Sequence, residues 1–513
     1  MGIRQKLALI VCTGILAGML RFCNICFDSL WLDEGYQSLV GACAQSLPDF
    51  CKERDEKWLF KFDRLSSVHD MLASFRKVDP LCPPLYAVLL NRWMNVFGFS
   101  DLAIRSLSAI ISSISVSLLV FFALEFFGPK TAICCALVQI ISPFDIHYAQ
   151  EARMYSLLNL SSLLSAASLI AIIRAGRFHP VLVPLHIVST WALINTHYTG
   201  LFLAAAEGLA SFAYLSWKKN WKLLSLLLCS WLIVAVLWLP WLHLFMQAAG
   251  SRTASFYVSR IPDLIWPFKA LFLRIPLNWM IFLSGQRVTA FAAGIYISSF
   301  IMLAYAAYSV LKDRTDKKFY LLGLCLWALL PALGLWVMDV LENHRVVEIA
   351  RYLMYTAPAI YLLAGFSLSK IPNKRYFSML VVFHCLFAAI NLTYTHTIKQ
   401  REPWQDAALA VEKLVPCDEL LVVSQPYDIV CLDRYLEKPR RQLGLSPAMG
   451  GESVKSKLAK LTKFTLITAQ EGESIKDMVP EEFSLTKQID YSHGIHLRVY
   501  RLQKEVRELS AGP

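Results

Sequence analysis

The chain has 513 residues, of which 56% are hydrophobic and only 17% charged, and its mean hydropathy is +0.47. A soluble domain carries about 45–50% apolar and about 25% charged residues, so this composition excludes a water-exposed globule and points to a membrane protein. The formal net charge of +12 would imply a nucleic-acid partner only if it were clustered on one solvated face, so its position along the chain decides its meaning.

In chain order, apolar runs of about 17–25 residues, long enough to cross a bilayer core, recur between short polar breaks. They predict a polytopic α-helical membrane protein with about eleven transmembrane helices. These fall near 7 to 27, 102 to 126, 131 to 147, 155 to 173, 181 to 197, 199 to 216, 223 to 243, 288 to 311, 319 to 338, 353 to 369 and 376 to 394. The first run has the length of a signal peptide, but Arg21 closes it and no clean small-residue cleavage site follows, so an uncleaved helix is expected. The run over 83 to 97 is short for a span and carries Asn91 and Arg92; it is expected to lie along the outer interface.

With the N-terminus inside, the inner segments hold 15 basic and 3 acidic residues, a net +12. The outer segments up to residue 398 hold 18 of each sign, and residues 399 to 513 hold 17 of each. The whole charge excess therefore lies on one side, as the positive-inside rule requires, and no nucleic-acid partner is implied. The expected organisation is a transmembrane module over 1–398, whose outer loop 28–101 carries Asp33 and Glu34, followed by an extracytoplasmic domain over 399–513. Short β-rich runs at 419 to 423, 464 to 468 and 495 to 500, with a helical stretch at 405 to 414, make that domain a small α/β unit.

The cysteines lie mostly in apolar runs, where a reduced thiol behaves as a small hydrophobe. Cys51 with Cys82 and Cys417 with Cys431 lie in outer segments, where disulfides can form. Cys23 and Cys26 have no second pair to complete a metal site.

The chemistry concentrates at the outer ends of spans. Trp31-Leu32-Asp33-Glu34-Gly35 places two carboxylates directly after the first span. His147, Tyr148, Gln150, Glu151, Arg153 and Tyr155 follow the third; Asn195, His197 and Tyr198 follow the fifth; His344, Arg345, Glu348, Arg351 and Tyr352 follow the ninth. Charged groups at the mouth of a helical bundle are costly unless paired or lining a cavity. Carboxylates and cations from separate segments at one depth suit an anionic ligand. By contrast Glu207, inside the sixth span, is expected to have a structural role, and the tryptophans around 217/221 and 238/241 read as interfacial belts.

These strings also carry a resemblance. Trp31-Leu32-Asp33-Glu34-Gly35, Pro83-Pro84-Leu85-Tyr86, Ala149-Gln150-Glu151-Ala152-Arg153-Met154-Tyr155, Thr196-His197-Tyr198, Ala350-Arg351-Tyr352-Leu353 and Pro403-Trp404-Gln405-Asp406 resemble the C-type (GT-C) membrane glycosyltransferases. The nearest branch is that of the protein O-mannosyltransferases and the lipid A aminoarabinose transferases. The resemblance implies an enzyme that moves a hexosyl or pentosyl group, with inversion, from a polyprenyl-phosphate donor to a glycan, lipid or protein acceptor outside the membrane.

An inverting transfer needs a base on the acceptor's side, a role given to Asp33, with Glu34 and Glu151 as further catalytic carboxylates. The lipid phosphate that leaves needs cations more than a proton, and guanidinium groups bind phosphate by paired hydrogen bonds, which selects Arg153 and Arg351. His147, Tyr148, Tyr155, His197, Tyr198, Tyr352 and Tyr86 are the candidate substrate contacts. No cofactor is predicted, although the Asp, Glu and His set contains ordinary ligand types for a divalent cation. The expected location is a bacterial inner membrane with the active site facing the periplasm, since Ser510-Ala511-Gly512-Pro513 carries no retention signal. A secondary transporter and a polymerase or ligase of lipid-linked glycans are the competing readings. The transporter would place its charges near the midplane of repeated halves, and no repeat is visible.

Overall fold

The computed structural model describes residues 1–42, 53–54, 67–78, 82–249, 264, 267–268, 271, 308, 317–342, 345–399, 401–425, 428–445 and 449–502. In chain order its helices are α1 (Ile3–Phe22), α2 (Leu32–Ala42), α3 (Val68–Val78), α4 (Leu85–Phe97), α5 (Asp101–Phe126), α6 (Pro129–Ile140), α7 (Pro143–Ala149), α8 (Tyr155–Ala175), α9 (Leu182–Thr196), α10 (Gly200–Trp217) and α11 (Trp221–Ala249). After these come α12 (Lys317–Glu342), α13 (Ala357–Lys370), α14 (Lys374–Thr397), α15 (Trp404–Leu414), α16 (Asp428–Tyr435) and α17 (Gly451–Leu458). The strands are β1 (Glu53–Arg54), β2 (Leu421–Val423), β3 (Gln442–Gly444), β4 (Lys463–Thr468), β5 (Phe483–Asp490) and β6 (His496–Leu502). Two compact units result: Met1–Cys23, Asp79–Leu89 and Ala103–Tyr394 form the first, and Asn24–Val78, Leu90–Leu102 and Thr395–Pro513 the second.

The first unit is a membrane bundle. Among the described residues seven helical stretches are long and apolar enough to cross a bilayer: α1, α5, α8, α10, the greater parts of α11 and α12, and Ala350–Lys370. The bent pair of α6 and α7 raises the number to eight. This falls short of about eleven spans. The run over 288 to 311 lies, but for residue 308, outside the described residues, and α9 is a shorter apolar helix.

Local chemistry sets the breaks. Gly128, at φ +96°, leads into Pro129 in the first turn of α6, a position where proline's missing N–H is not needed. Ser142 then caps α7, its Oγ accepting from the Asp145 N–H, with Pro143 again in the first turn. The two helices meet at 57°. Helix α13 packs on α6 at Gly365, where an added Cβ would stand 2.6 Å from the Cys135 backbone nitrogen. Such small residues permit the close backbone approach on which helix association in lipid depends.

The second unit is a mixed α/β fold on one sheet of strand order β1-β3-β2-β4-β6-β5. Strands β3, β2 and β4 are parallel, whereas β1 against β3, β6 against β4 and β5 against β6 are antiparallel. Side-chain alternation gives the sheet two apolar faces. Leu421, Val423, Ile467, Leu497 and Val499 pack with Trp404 and Val411 of α15 and with Ile429 and Leu432 of α16. Val422, Leu443, Phe464, Leu466 and Tyr500 pack on the other face with Val454 and Leu458 of α17. The α/β character expected of the tail is thus present.

Candidate active site

In the bundle, α7, the turn after it and the start of α8 carry the longest run of predicted site residues. His147 sits in the last turn of α7 with Nε2 3.3 Å from Oε1 of the buried Glu151. An aromatic chain continues from it. Ring centroids are 5.0 Å apart for His147 and Tyr148, 5.2 Å for Tyr148 and Tyr155, 6.4 Å for Tyr155 and His197, and 5.1 Å for His197 and Tyr352. The Arg351 guanidinium stands 5.9 Å from the Tyr155 ring and 5.5 Å from the Tyr352 ring, within cation–π range of both. Three chain segments separated by tens to hundreds of residues therefore close one aromatic cup.

The cup is electropositive. The charges of both Arg153 and Arg351 bear on the His197 imidazole. The Thr199 N–H donates to His197 Nδ1 at 3.2 Å, which favours the neutral tautomer with its proton on Nε2. Behind Arg153, its carbonyl accepts from Ser108 Oγ at 3.0 Å, and Ser108 is 2.8 Å from the Tyr86 hydroxyl. Tyr86 is buried and so reaches this segment from behind. The Tyr198 hydroxyl accepts from Trp241 Nε1 at 2.9 Å. Trp241 and Trp238 are buried, which corrects their reading as an interfacial belt; Trp217 and Trp221 are exposed as a belt requires. Two half-buried guanidinium groups, that of Arg351 held against aromatic faces, with a carboxylate and two imidazoles in the same cup, can bind a phosphate and exchange protons with what it carries.

Asp33 and Glu34 belong to the second unit, in the first turn of α2. Glu34 is fully buried and pairs with Arg401 at 3.2 Å, and the Arg401 guanidinium lies 4.9 Å from the Trp31 ring. Helix α2 packs on α16, where a Cβ on Gly35 would come within 3.0 Å of Val430. Beneath it, burial pushes the Cys431 thiol well above its ordinary range, and Asp428, Glu402, Glu34 and Asp33 add to the effect. Among the described residues no group of three or more His, Cys, Asp or Glu is placed to hold a metal ion.

Other expectations are redistributed. Arg345 and Glu348 pair with each other at 2.5 Å, and His344 lies outside the described residues. The Asn195 amide donates to the Trp191 carbonyl within α9. Cys417 and Cys431 are free, one exposed and the other buried, so no disulfide joins them. Cys82 is a buried thiol, and Cys51 lies outside the described residues. Glu207 has the structural partner expected of it: Ser165 Oγ lies 2.9 and 3.0 Å from its two oxygens. It lines a cavity of about 130 Å³ walled by α8, α10 and α12.

One feature of the bundle escaped sequence reasoning. Arg21 is fully buried and pairs with Asp145 of α7 at 2.8 Å. The available signal was a lone arginine closing an apolar run and a lone aspartate inside another; intramembrane charges call for partners.

The fold is that of the GT-C membrane glycosyltransferases. The chain superimposes on ArnT from Cupriavidus metallidurans bound to undecaprenyl phosphate with a TM-score of 0.60 and 13% identity, covering 100% of both chains. The apo form of that protein gives 0.59 and 12%, covering 96% of this chain and 97% of that one. The archaeal oligosaccharyltransferase AglB from Archaeoglobus fulgidus, in complex with an inhibitory peptide and a dolichol-phosphate, gives 0.50 and 11%, covering 92% and 70%. No family model and no curated protein sequence matches the chain.

Proposed function

We propose that the protein is a membrane glycosyltransferase that takes a sugar from a polyprenyl-phosphate donor and transfers it, with inversion, to an acceptor on the extracytoplasmic side. The observation that carries this reading is the convergence of Arg153 and Arg351 on the aromatic cup around His197. The shared fold supports it, because ArnT and AglB were each solved with a polyprenyl phosphate bound.

On this reading the two guanidinium groups hold the donor phosphate and stabilise the negative charge that grows on it as the sugar leaves. Tyr155, His197 and Tyr352 present ring faces and polar edges to the sugar, and Glu151 with His147 handles protons at the rim. Asp33 has the part of base toward the acceptor, with Glu34 orienting the sugar or assisting. The lysine-rich loops support this orientation by the positive-inside rule.

The test supplies purified protein in lipid nanodiscs with hexosyl and pentosyl polyprenyl phosphates labelled in the sugar, together with fractionated envelope lipid, glycan and protein. Transfer of label from at least one donor is expected, with its loss in Glu151→Gln and Asp33→Asn. Binding of no donor, with accumulation of a soluble solute in proteoliposomes, would replace this reading with a transporter. Unchanged turnover in both variants would overturn the carboxylate assignments.

A further inference from the structure

We infer that the buried Arg21–Asp145 pair is a positioning device for the candidate site, setting the rotation of α7 and through it the placement of His147 and Glu151; this rests on the transferase reading. The pair sits at the junction of five helices. Arg21, in the last turn of α1, donates from Nε to Ser112 Oγ of α5 at 2.6 Å and from its terminal nitrogens to the carbonyls of Gln139 and Ile140 of α6 and to Asp145. Asp145 also accepts from Gln139 Nε2 at 3.1 Å and from Asn159 Nδ2 of α8 at 3.2 Å. Asn159 is held in turn by Ser115 of α5 at 2.8 Å.

Burying two charges costs several kcal/mol each, and apolar residues of similar volume often serve stability as well or better. Cohesion alone therefore does not call for this pair. What it supplies is direction. Helix α7 has seven residues, too few to hold an orientation by its own hydrogen bonds. Successive residues of a helix turn by about 100°, so Asp145 and His147 lie about 200° apart on nearly opposite faces. Clamping the Asp145 face therefore fixes where His147 points, and with it the 3.3 Å contact to Glu151. A second tie closes the other end of α7, where Gln150 Nε2 donates to the carbonyls of Arg21 and Cys23 at 3.1 and 2.8 Å.

The test compares two double variants in nanodiscs, an apolar one (Arg21→Met with Asp145→Leu) and a hydrogen-bonding one (Arg21→Gln with Asp145→Asn). Thermal unfolding, kcat and KM for the labelled donor, and amide exchange over residues 143–155 are measured on each. The apolar double is expected to unfold within a few degrees of wild type while kcat falls about a hundredfold and exchange over 143–155 rises. The hydrogen-bonding double is expected to recover most of the turnover. Wild-type turnover in the apolar double overturns the inference. Failure of wild type to use any donor refutes the transferase reading instead, and unchanged exchange over 143–155 in the apolar double then overturns the positioning role by itself. If the doubles do not fold, Gln150→Leu cuts only the second tie; a kcat about tenfold lower with unchanged thermal unfolding supports the inference, and unchanged kcat and exchange overturn it.

Discussion

Replacing Arg351 with Gln removes one of the two cations of the cup and leaves its aromatic walls standing. The guanidinium is held 5.5 and 5.9 Å from the Tyr352 and Tyr155 rings, contacts that orient a cation without neutralising it. A hydrogen bond to a charged group contributes about 1.5–3 kcal/mol, so the loss should raise the Kd for a polyprenyl phosphate about ten- to 150-fold. Arg351→Lys keeps a charge but loses the planar fork, and should fall between wild type and Gln. Because the site is half-buried, the Gln effect should persist at high salt, where exposed charges are screened. Equilibrium binding of labelled polyprenyl phosphate, carrying no sugar, to nanodisc-held protein measures all three without requiring turnover. Wild-type affinity in Arg351→Gln, at low and high salt alike, would refute the placement of the phosphate at this cup.

Three further predictions concern the scaffold. Gly365→Ala brings a Cβ to 2.3 Å from Cys135 Sγ and 2.8 Å from its Cα; α6 and α13 must separate, at about 1–3 kcal/mol, and Cys135→Ala should not restore thermal unfolding because backbone atoms remain in the way. Arg401→Ala leaves the fully buried Glu34 without its ion-pair partner, a loss of about 3–5 kcal/mol that lowered protection of 32–42 in amide exchange would register. In the α/β unit, burial pushes the Glu473 carboxyl up, but hydrogen bonds from Arg498, Thr468 and Lys476 outweigh it and hold it at about 2. Since the folded value lies below the unfolded one, the stabilisation is complete above about pH 4.5 and is lost as pH falls toward 2. Protection of 463–502 in wild type should converge on that of Glu473→Gln over that interval.

Much of the cup was legible because hydropathy gives depth. Polar residues at span ends share a level, and His147, Tyr155, His197 and Arg351 do converge. Hydropathy gives no azimuth. Nothing in the sequence says which face of α1 meets α7, so the partner of Arg21, 124 residues away, stayed hidden. The same blindness made Trp241 a belt residue rather than the donor to Tyr198. In the tail, the buried strands β2, β4 and β6 stood out as apolar runs, whereas β5 carries Thr486, Lys487 and Gln488 along an exposed edge and gave no such signal. The cysteine pairing failed because α16 turns Cys431 into the core beneath α2 while Cys417 stays in an exposed turn.

The phenol of Tyr435 ties together the two ends of the chain's history. It donates to Asp101 at 2.7 Å and accepts from the Leu30 N–H at 2.6 Å, across 334 and 405 residues of sequence. At about 5–20 residues per second of synthesis, Asp101 waits roughly 17 to 67 s for this partner. The loop that presents Asp33 and Glu34 is thus made first and completed last, after every intervening helix has emerged from the ribosome. A nascent chain halted before Tyr435 would already hold Glu34 through Arg401 but would lack the Tyr435 tie, so the fastening of the segment whose carboxylates the resemblance makes catalytic is completed late in synthesis.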